Sequence, residues 1–177
     1  HTRAMMKKLG DVAFWRIAMR PGRPMAVGRI AASGLQAKTA PSAQPASASS
    51  YQNDINASTG GAVLFGLPGN PVAVMVTFLA YVRPALLRMM GSTRTAPPLL
   101  RATSTEAIRK KPGRTEYQRG TVTTGPDGSL QVRTTGNQGS GVLSSMVQAN
   151  GLIVLHHQQG NVAVGDAVDV MVFDGVI

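Results

Sequence analysis

The feature that most constrains this chain is the short apolar run Ala62-Val63-Leu64-Phe65, which ends in Gly66-Leu67-Pro68-Gly69-Asn70-Pro71 and leads straight into VAVMVTFLAYVRPALLRMM. A brief apolar run, a Gly/Pro turn and a long apolar stretch read as strand, tight loop and helix. Asn70 is a good N-cap and Pro71 suits the first helical position. The helix is apolar on most sides, which predicts burial in a layered domain. Pro84 should kink it or mark its last turns, and Gly91 supplies a stop. The longest uncharged apolar stretch, 55 to 82, is broken by Gly60-Gly61 and by the Gly/Pro turn, so it is not read as a membrane span.

The last third changes character. LLRATS, RTEYQRGTVTT, SLQVRTT, GLIVLHH and DAVDVMVF are short β-like runs, separated by Gly125-Pro126-Asp127-Gly128, Gly136-Asn137-Gln138-Gly139 and Gly160-Asn161. Turn signals at this spacing predict a small β-barrel or sandwich. A boundary is expected where the chain reads GSTRTAPP, between Gly91 and Pro98. Residues 31–60 carry only Lys38 and Asp54 as charges among Ala, Ser, Gln, Thr and Pro, which reads as a flexible insertion.

With 177 residues, 43% hydrophobic and 15% charged, one domain or two small ones with a buried core are expected. The absence of Cys excludes a disulfide framework, thiolate zinc sites and thiol catalysis. Three His (His1, His156, His157), two of them adjacent, argue against a His-based metal centre. The first residues hold no basic segment followed by an apolar core and cleavage site, so secretion is unsupported. They also lack an initiator Met, which implies a processed chain or a piece of a longer one.

The formal charge of +10 is concentrated in two segments. Residues 1–30 and 83–119 are strongly basic and the remainder is slightly acidic. Two basic segments suit an anion held between them; solvated basic faces would give the same pattern. Within the first, Arg20-Pro21-Gly22-Arg23-Pro24 sets two guanidiniums three residues apart on a stiffened turn, able to grip an oxyanion in a fork or simply to form a basic surface turn. At the strand-to-helix junction, Gly66 to Pro71 offers free N–H groups and a helix N-terminus to an anion, although a turn shaped for packing has the same residues. In Arg114-Thr115-Glu116-Tyr117-Gln118-Arg119, strand alternation puts Arg114, Glu116 and Gln118 on one face. Cross-strand pairing is the ordinary explanation for such a segment. The loop from Gly136 to Gly141 is either a plain turn or a presenter of the Ser140 hydroxyl and backbone donors. Phe14 and Trp15 read as core, and His156-His157 as solvent-facing. No nucleophile, base and orienting partner can be assembled.

Taken together, GDVAFWRIAMRPGRPMAVGRI, VLFGLPGNPVAVMVTF, GRTEYQRG and TGNQGSGVLSSMVQANGLIVL resemble, in order and spacing, the C-terminal half of the molybdopterin molybdenumtransferase family, the MoeA proteins and gephyrin E-domains. The resemblance implies an α/β fold, part of a three-layer molybdopterin-binding domain over residues 1–91, followed by a small all-β barrel over 92–177. It implies insertion of molybdate into adenylylated molybdopterin with release of AMP and a magnesium ion as cofactor. Arg20 and Arg23, with Pro21, Gly22 and Pro24, match the family's PGKP-type loop, although many relatives carry Lys at the two basic positions. Gly66, Pro68, Gly69, Asn70 and Pro71 match the pterin-side loop, and Arg114 and Ser140 match barrel residues that approach molybdate.

The same resemblance implies that the acidic, glycine-rich metal-binding segment lies before His1, so this chain alone is expected to be inactive and to hold no metal. It further implies a cytoplasmic homodimer with no nucleic acid or membrane partner. Two other expectations stand beside it: a non-catalytic scaffold of the gephyrin kind, and a general polyanion binder motivated by the net charge.

Overall fold

The computed structural model describes Lys8, residues 10–31, 61–94, 96–139 and 141–173. The expected flexible insertion therefore lies outside the described residues except for Ala31, as do Ser140, His1 and the side chains of Phe14 and Trp15. The chain forms two compact units. The first comprises residues 1–14 and 26–66, the second 15–25 and 67–177.

In the first unit, β1 (Asp11–Arg16), β3 (Pro24–Ala31) and β4 (Gly61–Gly66) form a three-stranded sheet in the order β1-β3-β4. The expected strand at Ala62 to Phe65 is β4, antiparallel to β3 with Val27 opposite Phe65 and Arg29 opposite Val63.

The second unit is built on β5 (Leu100–Ser104), β6 (Thr115–Thr124), β7 (Leu130–Thr134), β8 (Gly151–Leu155) and β9 (Ala167–Val172). These are the β-like runs of the sequence. Neighbours run β6-β7-β5-β9-β8, and β8 pairs back to β6, so the sheet closes into a five-stranded barrel. All its pairs are antiparallel except β5 with β7. Closure removes the edge strands that would otherwise template pairing with another chain. A two-residue strand, β2 (Met19–Arg20), adds in parallel to the start of β6, with Arg20 opposite Glu116.

Strand β6 makes closure possible by serving two partners in succession. Glu116 to Gly120 pair with β8 and Gly120 to Thr124 with β7, so the ladders hand over at Gly120. A Cβ there would lie 2.9 Å from Ile153 Cγ1 and 3.1 Å from the Arg133 carbonyl, which is why the corner is a glycine. On either side of it a side-chain amide replaces the missing strand. Asn150 accepts from the Val122 N–H at 2.7 Å and donates to the Val122 carbonyl at 2.8 Å. Gln138 does the same for Arg119, at 2.8 and 3.0 Å. No backbone group of these residues is left unpaired at the handover.

The alternation of β8 separates two apolar clusters. Ile153 and Leu155 join Val132, Ile108, Val168 and Val170, whereas Leu152 and Val154 join Met19, Met146, Met171 and Val72, Val76 and Leu79 of a helix. That helix, α1 (Pro71–Met89), starts as the sequence predicts, with Asn70 Oδ1 accepting from the Ala73 N–H at 3.3 Å and Pro71 in the first turn. Residues Phe78–Val82 widen to π geometry immediately before Pro84, where the missing N–H would break regular i to i−4 bonding. The helix continues to Met89 and ends at Gly91, at φ 83°. A short α2 (Ser144–Val147) precedes β8.

The expected burial of α1 on most sides needs correction. By length and composition it is apolar enough to cross a bilayer, yet it packs one face on the barrel and leaves Met75, Phe78, Leu86 and Met89 exposed. One barrel surface covers only one stripe of a helix, so an all-round apolar composition does not ensure all-round burial.

His156 and His157 are both exposed, as expected, but His156 Nε2 bonds Asp169, which also meets Arg101 at 2.8 Å across β5 and β9. The Arg101 hydrogen bond, then that from His156, holds the Asp169 carboxyl below its ordinary range. A depressed carboxyl stabilises the fold fully above its unfolded value and loses that contribution as pH falls toward the folded one. Acid titration of stability should therefore show a component below the ordinary Asp range that Asp169→Asn removes. Leu152→Ala, at a fully buried position, should cost about 2–5 kcal/mol in urea unfolding. Met90→Ala, 81% exposed, should stay within about 0.5 kcal/mol of the parent.

Candidate anion-binding site

A cavity of about 440 Å³ lies in the second unit and gathers most of the candidate residues. Arg20, Pro21, Gly22, Arg23 and Pro24 form one wall; Pro68, Gly69 and Asn70 form a second; Arg114 and Gln138 complete the lining. Pro71 begins α1 outside the lining, and Gly66 belongs to the first unit as the last residue of β4. Three guanidiniums thus surround a space with no lining carboxylate. Neither Arg20, Arg23 nor Arg114 makes an ion pair with a described residue.

Local chemistry explains how the arginine loop is held. The Ile17 N–H donates to the Arg23 carbonyl at 2.8 Å, closing the base of the turn. The Arg20–Pro21 peptide is cis, and Gly22 sits at φ 98°. A Cβ at Gly22 would fall 2.5 Å from Thr77 Oγ1 on α1, so the turn lies flat on the helix only because position 22 is glycine. Thr77 Oγ1 is itself buried without a hydrogen-bond partner among the described residues. Arg20 and Arg23 remain exposed at their ends.

The opposite wall depends on Arg119, 1% exposed and therefore the most deeply held charge near the cavity. Its Nε donates to Ser145 Oγ at 2.9 Å, and a terminal nitrogen donates to the Gly139 carbonyl at 3.0 Å. Burial first, and then the charge of Arg20, push Arg119 below the usual arginine range. Arg119 thus ties Gly139 and Ser145 to β6, next to Gln138, which lines the cavity.

Arg114 lines the first cavity, and Glu116, Gln118 and Arg119 line an adjoining space of about 370 Å³ beside Arg20, so residues from both faces expected of the strand reach it. Tyr117 also reaches that second space. Burial, aided by the charge of Tyr81 and a hydrogen bond with it, pushes Tyr117 up to about 12, so it stays a neutral donor.

Sequence reasoning does not single out Gln138 or Arg119. Gln138 has only its place in a glycine-rich loop as a signal, and strand alternation assigns Arg119 to the opposite face. Gln138→Leu should leave the Arg119 N–H without its acceptor, while the Arg119 carbonyl still accepts from the Thr135 N–H at 2.9 Å, destabilising the chain by about 1–3 kcal/mol in chemical denaturation. It should also enlarge amide hydrogen exchange at Arg119.

Comparison with known proteins defines the class to which this barrel and arginine-lined cavity belong. Residues 101–173 match the MoeA C-terminal region (domain IV), and residues 1–88 match a probable molybdopterin binding domain. The chain is 32% identical over 177 residues to molybdopterin molybdenumtransferase of Haemophilus influenzae, covering 99% of this chain and 37% of that protein. It is 28% identical over 171 residues to gephyrin of Dictyostelium discoideum, covering 93% and 22%. Among solved structures, the molybdenum cofactor biosynthesis protein of Pyrococcus furiosus aligns with a TM-score of 0.62 at 22% identity, covering 97% of this chain and 54% of that one. The molybdopterin biosynthesis MoeA protein of Pyrococcus horikoshii gives 0.61 at 20% identity, covering 93% and 33%. These two structures speak to the fold alone.

The chain belongs to the MoeA family. It spans well under half the length of these two curated relatives.

Proposed function

We propose that this chain supplies the oxyanion-binding part of a molybdenum cofactor biosynthesis enzyme, one that inserts molybdate into adenylylated molybdopterin and releases AMP. The observation that carries the reading is the cavity in which Arg20, Arg23 and Arg114 converge without a carboxylate. Molybdate is a compact dianion, and guanidinium groups neutralise and orient such an ion through paired N–H donors. Gly69 leaves open space where a Cβ would stand, so the backbone beside the α1 N-terminus is accessible to the ligand. The helix dipole adds positive potential there.

In this reading the protein's own groups bind and orient; none is required as a nucleophile. Arg20 and Arg23 hold the oxyanion from the turn, Arg114 holds it from the barrel, and Gln138 offers an amide to the same space. Such preorganised donors act where charge must be stabilised without solvent reorganisation. Arg in place of Lys keeps the charge and adds a planar fork. Among the described residues no group of three His, Asp or Glu side chains comes together to hold a metal ion.

The two matched regions, 1–88 and 101–173, support assigning residues 1–91 to the end of a three-layer α/β molybdopterin-binding domain and 92–177 to the barrel domain. A cytoplasmic homodimer without nucleic acid or membrane partners completes the reading by family membership.

Molybdate titration by calorimetry tests the proposal. Arg23→Ala and Arg114→Ala should each weaken binding about tenfold or more, the loss of one charge-assisted hydrogen bond, while Arg23→Lys should retain part of the affinity. Unchanged molybdate affinity in both alanine variants would refute the assignment.

A further inference from the structure

The handover at Gly120 requires two residues that are adjacent in the chain. Asn150 fills the place beside Val122 where β8 has ended, its side chain accepting from the Val122 N–H at 2.7 Å and donating to the Val122 carbonyl at 2.8 Å. Gly151 opens β8, opposite Gly120 on β6 and Val172 on β9. A Cβ at Gly151 would lie 2.9 Å from the Met171 carbonyl, so a side chain there would push β9 away. A short amide at 150 and a glycine at 151 are thus each imposed by closure. Together they make the one Asn-Gly step in the sequence.

Such a step is open to attack by the backbone on its own side chain. The next backbone nitrogen and the asparagine carboxamide close a five-membered ring, and glycine has no Cβ to obstruct the approach or restrict the torsions it needs. Asparagine counts among the thermally labile residues. The other described asparagines, Asn70, Asn137 and Asn161, are followed by Pro71, Gln138 and Val162, which lack the N–H or carry a side chain in the way.

The folded corner holds this step closed. The Asn150 N–H donates to the Gly120 carbonyl at 3.2 Å, and the Asn150 carbonyl accepts from the Phe173 N–H at 2.9 Å, which fixes the backbone around the side chain. The carboxamide is bound twice to Val122 on β6, and bending back toward Gly151 requires release of both bonds. Asn150 is exposed and stands just before β8. Release is therefore a local opening at a strand end, with water at hand.

We propose that Asn150–Gly151 is a self-modification site, at which the amide clasp of the barrel is converted irreversibly into a carboxylate. The Gly151 nitrogen bonds to the Asn150 side-chain carbonyl carbon, the bond from that carbon to Nδ2 breaks, and the displaced nitrogen takes the former Gly151 amide proton and leaves as ammonia. Water then adds across one of the two ring C–N bonds of the resulting succinimide. Cleavage at the side-chain carbonyl gives aspartate; cleavage at the main-chain carbonyl gives isoaspartate, whose backbone is one carbon longer. The sum consumes one water and releases one ammonia, with no oxidant or reductant.

Both products undo the corner. A carboxylate still accepts from the Val122 N–H, but it has no donor for the Val122 carbonyl and faces it oxygen to oxygen. Isoaspartate also displaces β8, whose five residues are all buried, along its partners β6 and β9. Each modified chain opens more easily than its parent.

Incubating the 177-residue chain in mildly alkaline buffer, at several urea concentrations, and mapping its peptides by mass spectrometry tests this. In the urea-unfolded chain, exchange of a side-chain NH2 for OH should be faster at Asn150 than at Asn137 or Asn161. At Asn150 it should be about tenfold or more slower in the folded chain, and should quicken at sub-denaturing urea in step with hydrogen exchange of the Val122 amide. The isolated modified chain and Asn150→Asp should both unfold at lower urea concentration than the parent. Faster modification at Asn137 or Asn161 in the unfolded chain would overturn the proposal. So would an equal rate at Asn150 in folded and unfolded chains, no rise at sub-denaturing urea, or a modified chain with an unchanged urea midpoint.

Discussion

Closure of the barrel at Gly120 is the constraint on which the second unit depends. One ten-residue strand, β6, must face β8 along its first half and β7 along its second. A strand that changes partners would strand backbone donors and acceptors at the crossing, a cost comparable to several lost hydrogen bonds. The Asn150 and Gln138 amides prevent it, one on each side of the corner. Gln138 thereby ties the barrel's closure to the cavity wall. The residue that completes the ladder is also the residue that faces the ligand space.

Electrostatics in this unit follow from the same geometry. Arg20 stands opposite Glu116 in the β2–β6 register and lines both cavities described. Its charge reaches buried Arg119. Like charges held this closely are unfavourable in the empty protein, and an anion relieves the repulsion on binding. Stability forgone in the free chain becomes affinity for the ligand.

Much of this was legible in the sequence. The strands of the barrel, the Asn70 cap and the Gly91 stop follow from local signals of alternation, turn chemistry and capping, whereas a shared site for the RPGRP and GLPGNP loops was implied only by the family resemblance. What was not legible depends on distant partners. Lys110 looks like one member of a basic run, and its burial requires the carbonyl of Gln159, 49 residues away. Arg119 follows strand alternation to the face opposite Arg114, yet its burial comes from a loop that folds back over it. The helix misleads for a related reason. Its composition suits full burial, but what covers each face is decided by the neighbouring surface and not by the helix.

The double burial of β8 bears on how this protein is divided. Leu152 and Val154 pack against a helix that precedes the barrel in sequence, while Ile153 and Leu155 fill the barrel interior. The stretch recognised as domain IV stops short of that helix at 101–173. A segment inherited as a module is therefore not the segment that folds as one. Cut at the evolutionary seam, the barrel would present a bare apolar stripe to water, and its solubility would rest on residues that sequence families assign to someone else.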